Sequence, residues 1–295
     1  VTTNFSFLRG ASHAEEVVRQ ANALGLSAIG SADRNTLAGV VRAHIAAKEA
    51  GLRLLVGARL IPEDGPDLIC YPQNRAAYGQ LSTLLSHGKL RAEKGECRLT
   101  LDDITAHSED QIFIVMPPEG VTASFEETLA SLAKRWPGRI YLGAQFTYTG
   151  RNRERLARLA ELGERTGAPI IAVNDVLYHT PERRPLQDVL TCIREHCSIQ
   201  QAGFRLQANA ERHLKSPQEM ARLFKGFEPA LNRTQEIANQ CDFSLDELAY
   251  EYPDEPVPPG KTPQEHLTDL TWAGAAWRYP KGLPPKVEAA LHKEL

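Results

Sequence analysis

The chain has 295 residues, 42% of them hydrophobic and 24% charged, with a net charge of −3, a composition suited to a globular protein with a sizeable core. This mild acidity excludes a protein that grips nucleic acid over its whole surface, while a local basic patch stays open. No apolar run approaches the roughly 20 residues that span a bilayer and no charged-then-apolar leader opens the chain; five scattered cysteines with no CxxC pair suggest neither a zinc site nor a disulfide framework and fit a reduced, cytoplasmic setting.

Taken in chain order, Val1-Thr2-Thr3 reads as the inside of a strand. Ser12 is placed to cap a helix through Glu15, Val17, Val18, Ala21 and Leu24 that stops at Gly25. Leu26 to Gly30 suits a buried strand, and Leu37 to Ala50, followed by Gly51, a helix. RLLVGARL (Arg53 to Leu60) reads as the next strand and Asp67 to Tyr71 as another. A helix over Arg75 to Leu85 precedes a polar stretch from His87 to Arg98. Then strands over Gln111 to Met116, Arg139 to Ala144 and Pro169 to Val173 alternate with helices over Phe125 to Arg135 and Asn152 to Thr166.

Strands and helices alternating in this way imply parallel pairing through right-handed crossovers. Six or seven such units predict an α/β barrel, with its chemistry at the carboxyl ends of the strands. That points to Ser31 to Asn35, Gly57 to Arg59, Gln145 and Asn174 to His179. Helical patterns follow over Glu182 to Glu195, Gln218 to Phe224 and Pro229 to Gln240. The acidic, proline-rich stretch Tyr250 to Pro263 cannot hold a helix or central strand and reads as a stiff linker. Two helical segments, Glu265 to Trp277 and Lys286 to Leu295, come last. With no initiating Met and no helix stop at the end, the sequence reads as part of a longer polypeptide.

Three ordered segments stand out: TTNFSFLRGAS (Thr2 to Ser12), ADRNTLAG (Ala32 to Gly39) with Val56-Gly57-Ala58-Arg59, and VNDVLYH (Val173 to His179) leading into LQDVLTCI (Leu186 to Ile193). With RHLKSPQEM (Arg212 to Met220) they resemble the polymerase-and-histidinol-phosphatase (PHP) domain that opens bacterial C-family DNA polymerases. TTNFSFLRGAS and RPLQDVLTCIREHC resemble the error-prone, damage-tolerant branch more than the replicative one. The resemblance implies a distorted (β/α)7-type barrel over residues 1–240, a proline-rich linker over 241–263, and the truncated start of a polymerase palm over 264–295.

An active PHP site hydrolyses phosphate esters with two or three divalent metals about 3.5–4 Å apart. Holding them takes a dense set of His, Asp and Glu at strand ends. In this family's pattern the second His of an opening His-x-His falls on Thr2, and the first precedes Val1. Asp33 matches an Asp, but Arg34 stands where a His is usual and Arg59 where a Glu is usual. In a late Asp-x-His, Asp175 matches, Leu177 replaces the His, and His179, two residues on, faces the same side of an extended segment. Arginine cannot shed its proton, and like charges in a half-buried site repel by several kcal/mol at an effective dielectric of about 20. Arg34 and Arg59 are therefore expected to replace the metals and pair with Asp33 and Asp175, in a pocket shared with Thr2 and Asn174. Residual binding of one divalent ion by Asp33, Asp175 and His179 is the competing expectation. Plainer readings also hold: Asp33 and Asp175 as turn or cap residues, and His179 as a lone surface histidine. His44 reads as packed or solvated, and His87, Cys97 and His107 as too widely spaced for a zinc set.

Lys89 to Lys94 and Arg151, Arg153, Arg155 and Arg158 are interleaved with acids and lack stacking aromatics, so they read as solvated helix faces before nucleic-acid contacts. The resemblance implies a parent DNA-directed DNA polymerase, acting in damage-tolerant repair, whose catalytic aspartates and Mg²⁺ lie in the absent palm. The fragment is expected to be an inactive scaffold needing no cofactor of its own. Its implied partners are the rest of the polymerase chain, DNA through the full-length protein, and accessory repair proteins, with no membrane. The alternatives are a metal-dependent phosphoesterase or 3′–5′ exonuclease domain, and a free-standing phosphatase.

Overall fold

Residues that alternate between two buried faces set the sheet. The computed structural model describes residues 1–248 and 255–295. It contains β1 (Ala28–Gly30), β2 (Asp33–Arg34), β3 (Arg53–Leu55), β4 (Ala58–Leu60), β5 (Leu68–Pro72), β6 (Gln111–Val115), β7 (Ile140–Ala144) and β8 (Ile170–Ala172). β1 and β3 form a two-stranded parallel sheet, and the others a six-stranded sheet in the order β2-β4-β5-β6-β7-β8. On one face, Leu60, Leu68, Phe113, Val115 and Leu142 pack under helices, with Phe113 stacked 4.2 Å from Trp136. On the other, Ile69, Tyr71, Ile112, Ile114, Tyr141 and Ile171 fill the inside of the curved sheet. Strands apolar on both faces are what a doubly covered sheet requires.

Around the sheet run α1 (Ala14–Ala23), α2 (Val40–Ala50), α3 (Arg75–Leu90), α4 (Leu101–Ala106), α5 (Ala123–Arg135) and α6 (Asn152–Thr166). Beyond it come α7 (Arg184–Arg194), α8 (Ile199–Ala202), α9 (Pro217–Leu223), α10 (Glu228–Gln240), α11 (Pro263–Arg278) and α12 (Pro285–Glu294). Ile237 and Ala238 of α10 meet the inner sheet face. The fold is mixed α/β, of a distorted-barrel kind.

Four sequence expectations are corrected. Pairing is not all parallel, because β4–β5 and β5–β6 are antiparallel; no helix separates β4 from β5, so the chain reverses through a loop. The single strand expected over Arg53 to Leu60 splits at Val56-Gly57 into β3 and β4, which lie in different sheets. Val1-Thr2-Thr3 is not a strand; it closes the gap between strands, Ala32 N donating to Val1 O at 2.8 Å and Thr2 N to Val176 O at 2.9 Å. Ser12 does not cap α1, whose start is held instead by the Glu16 carboxylate accepting from His13 N at 2.9 Å.

The chain divides into compact units Val1–Leu248 and Ala249–Leu295. The first continues past residue 240, since Phe243 is buried and stacks 4.4 Å from Tyr78, and Asp242 N donates to Gln73 O. Residues 249–254 of the expected linker lie outside the described residues, and 255–262 form neither helix nor strand. In the second unit, α11 and α12 bury no residue completely, and the Trp272 ring lies 4.8 Å from that of His292. Among the described residues no helix is long and apolar enough to cross a membrane.

Candidate functional site

β2, β4 and the segment after β8 bring the expected site residues to one end of the sheet, and there the charges sort into pairs. Arg59 projects from the inner face of β4, where Ala58 and Leu60 point outward. Its Nε donates to Asp67 Oδ2 and its Nη1 to Asp175 Oδ1, both at 2.9 Å. Arg34 Nη1 reaches the same Asp67 oxygen at 3.3 Å. Arg212 completes the set, with Nη2 on Asp175 Oδ2 at 2.6 Å and Nε on the Asp175 carbonyl at 2.7 Å. Gln145 Nε2 donates to Asp175 Oδ2 at 3.1 Å. The side chains of Arg59 and Asp175 are only 14% and 9% exposed, which puts this among charge-assisted bonds shielded from water.

Burial alone would push the Asp175 carboxyl up, but Arg212 and Arg59 outweigh it and hold it below its ordinary value. Burial likewise opposes the charge on Arg59, yet Asp175 and Asp67 raise its pKa. Arg34 is lowered, by burial first, with Arg59 adding to the effect against Asp67. Asp175 itself sits in the left-handed region at φ 43°, a conformation that Asp tolerates better than most residues.

Asp33 does something different. It is 1% exposed, and its Oδ1 accepts from Thr3 N at 2.7 Å and Ser6 Oγ at 2.6 Å, while Oδ2 accepts from Thr3 Oγ1 at 2.7 Å. It pins the opening loop to β2 and, among the described residues, pairs with no arginine. The expected Arg59–Asp175 pair is present, whereas the expected arginine on Asp33 goes to Asp67. His179 is turned to Ser12, with Nδ1 2.7 Å from Ser12 Oγ, and Leu177 is buried beside Ala11 and Tyr178. Burial lowers the His179 pKa. Thr2 and Asn174 line a cavity of about 500 Å³ together with Arg59 and Asp175, and Asn174 Nδ2 donates to His213 O.

These residues do not fit the divalent metals that the PHP resemblance implies. The carboxylate oxygens of Asp33 and of Asp175 each already receive three hydrogen bonds from the chain. Two permanently charged guanidinium groups meet at Asp67 beside Asp175. Among the described residues no group of three or more His, Cys, Asp or Glu is placed to hold a metal ion.

Asp67 and Arg212 were not foreseen as site residues. Asp67 directly precedes β5, which the sequence marks only as a strand, and Arg212 lies 37 positions from its partner. Elsewhere, the rings of His87 and His107 do come together, 5.6 Å apart, because α3 and the end of α4 are neighbours. His44 Nε2 lies 3.2 Å from Asp246. Arg153 and Arg155 donate to the carbonyls of Lys225, Pro118 and Glu119 and Arg158 pairs with Glu154, so three of the four arginines on this stretch serve internal contacts.

The chain belongs to the PHP domain family, whose profile matches residues 1–161. It is 60% identical over 295 residues to an error-prone DNA polymerase of Caulobacter vibrioides, covering 100% of this chain and 27% of that protein. It is 52% identical over 301 residues to an error-prone DNA polymerase of Rhodopseudomonas palustris, again covering 100% of this chain and 27% of the relative. The chain thus spans 27% of the length of these curated relatives. A solved amidohydrolase from Chromobacterium violaceum overlays with a TM-score of 0.45 at 13% identity, over 58% of this chain and 83% of that one, a likeness too loose to bear on chemistry.

Proposed function

We propose that this chain is the amino-terminal PHP unit of an error-prone, damage-tolerant DNA polymerase, and that it serves that polymerase as a non-hydrolytic scaffold. The observation that carries this reading is Asp175 held between Arg59 and Arg212, an ion-pair network in the place where a hydrolytic PHP site needs vacant ligand atoms. Nucleotidyl transfer, its Mg²⁺ ions and its DNA contacts then belong to a palm outside these residues, of which 264–295 is the opening. The scaffold works in the cytoplasm, within one polypeptide, and offers surfaces to accessory repair proteins. The proposed linker, 241–263, contains the point where the two compact units part.

Metal content and hydrolysis, measured together, test the scaffold. After dialysis against Mn²⁺ or Zn²⁺, the chain is expected to retain no stoichiometric ion and to cleave neither a generic phosphodiester nor 3′-labelled single-stranded DNA. Two or more ions per chain, with hydrolysis abolished by Asp33→Ala, would make it a nuclease or phosphoesterase instead.

A further inference from the structure

Helix α7 is built inside out. It buries Gln187, Thr191 and Cys192, while Leu186, Val189 and Ile193 stand 41%, 49% and 53% exposed. Spacings of three and four place those three side chains on one helical face, and a surface helix ordinarily turns such a stripe inward. Inside, Gln187 Oε1 finds no hydrogen-bond partner among the described residues. Ile199 of α8, which packs on α7, is also exposed, as is Phe204 in the turn that follows. At the far end of α7, Arg194 Nη1 donates to Leu8 O at 2.8 Å. That bond draws in the opening loop, whose Phe7 is 82% exposed.

The same loop carries a cation that no carboxylate of the described residues contacts. Arg9 is half-buried and has no carboxylate partner among the described residues. Burial, then the charges of Arg34 and Arg194, lower its pKa to about 10 against the opposing pull of Asp67 and Glu195. Exposed apolar surface rimmed by charge marks an interaction site.

We infer that Leu186, Val189, Ile193, Ile199 and Phe204 seat a segment of the remainder of the longer polymerase chain, which lays apolar side chains on them and brings a carboxylate to Arg9. This rests on the reading that the chain is one unit of such a polymerase. That occupant is favoured because relatives carry this sequence as only 27% of their length. The remainder, tethered to it, is present at high effective concentration. A second copy fits less well. In a two-fold pair the face meets itself, and the acids of α7 and its end are already engaged, Asp188 by Arg184 and Glu195 by Arg194.

Amide deuterium exchange over residues 184–206 tests this, compared between the 295-residue chain and the full-length gene product. Exchange is expected to be at least about tenfold slower in the full-length protein, and to return to the short chain's rate in a Val189→Asp/Ile193→Asp variant whose circular dichroism is unchanged. Arg9→Glu is expected to release part of the protection. Equal exchange in the two lengths overturns the inference, as does a dimer of the 295-residue chain in sedimentation that Val189→Asp dissolves. DNA synthesis by the full-length protein is read in parallel. Its absence would defeat the polymerase reading, while the exchange comparison alone judges whether the rest of the chain covers this face.

Discussion

Asp175 and Asp33 are both buried carboxylates at strand ends, and the groups they hold differ in kind. Around Asp175 the donors are two guanidinium groups and an amide; around Asp33 they are a backbone amide and two hydroxyls. Removing one member of a buried ion pair leaves the other charged and desolvated, so Asp175→Ala is expected to cost about 3–5 kcal/mol, read as a lowered denaturant midpoint. The pH dependence follows from the direction of the shift. A carboxyl whose folded pKa is depressed contributes stability at pH values above its unfolded pKa, about 4, and loses it as pH falls through the folded value. Wild-type stability should therefore fall as pH drops below about 4, and Asp175→Asn, though less stable at pH 7, should show a shallower drop. Parallel curves for the two proteins would remove Asp175 from the account.

At the scale of elements, the break between β3 and β4 falls where the Tyr71 ring packs on bare backbone. A Cβ added at Gly57 would lie 2.4 Å from the Tyr71 ring and 2.5 Å from the Cys70 carbonyl, and one at Gly30 would lie 2.3 Å from the Tyr71 hydroxyl. Tyr71 thus sits against two bare backbone positions, one at the end of β1 and one in the break between β3 and β4. Gly57→Ala is expected to overpack this contact and destabilise by about 1–3 kcal/mol, measurable in urea unfolding. The split also aims Arg59 inward: with β4 restarted at Ala58, the alternation sends Ala58 and Leu60 to the helix side and Arg59 toward Asp175. Periodicity located the residues of both strands, but no local pattern marked the break. RLLVGARL shows no interruption of its own, and the ring packed on bare Gly57 belongs to a strand more than ten residues away.

For the whole molecule, the apolar clusters among the described residues lie within Val1–Leu248, and the helices of the second unit bury no residue completely. A polypeptide of residues 1–248 is therefore expected to fold alone and to melt in one cooperative transition within a few degrees of the 295-residue chain, as judged by circular dichroism. A broad, non-cooperative melt would show that the second unit contributes to the first unit's core.

Sequence alone determined the alternation of most strands and helices, the family motifs, and the presence of Arg34 and Arg59 where ligands would stand, because these are matters of local residue type and spacing. It also brought Asp175 to Arg59 across 116 positions, through the family pattern that placed both at strand ends. Only the tertiary structure decided that Asp67 and Arg212 complete the network, that Asp33 serves a loop, that His179 turns to Ser12, and that α7 shows its apolar side. Each of these depends on which segments converge in space. Ion pairs and helix orientation follow from the nearest available counter-charge or neighbour, and that proximity is a property of the folded chain.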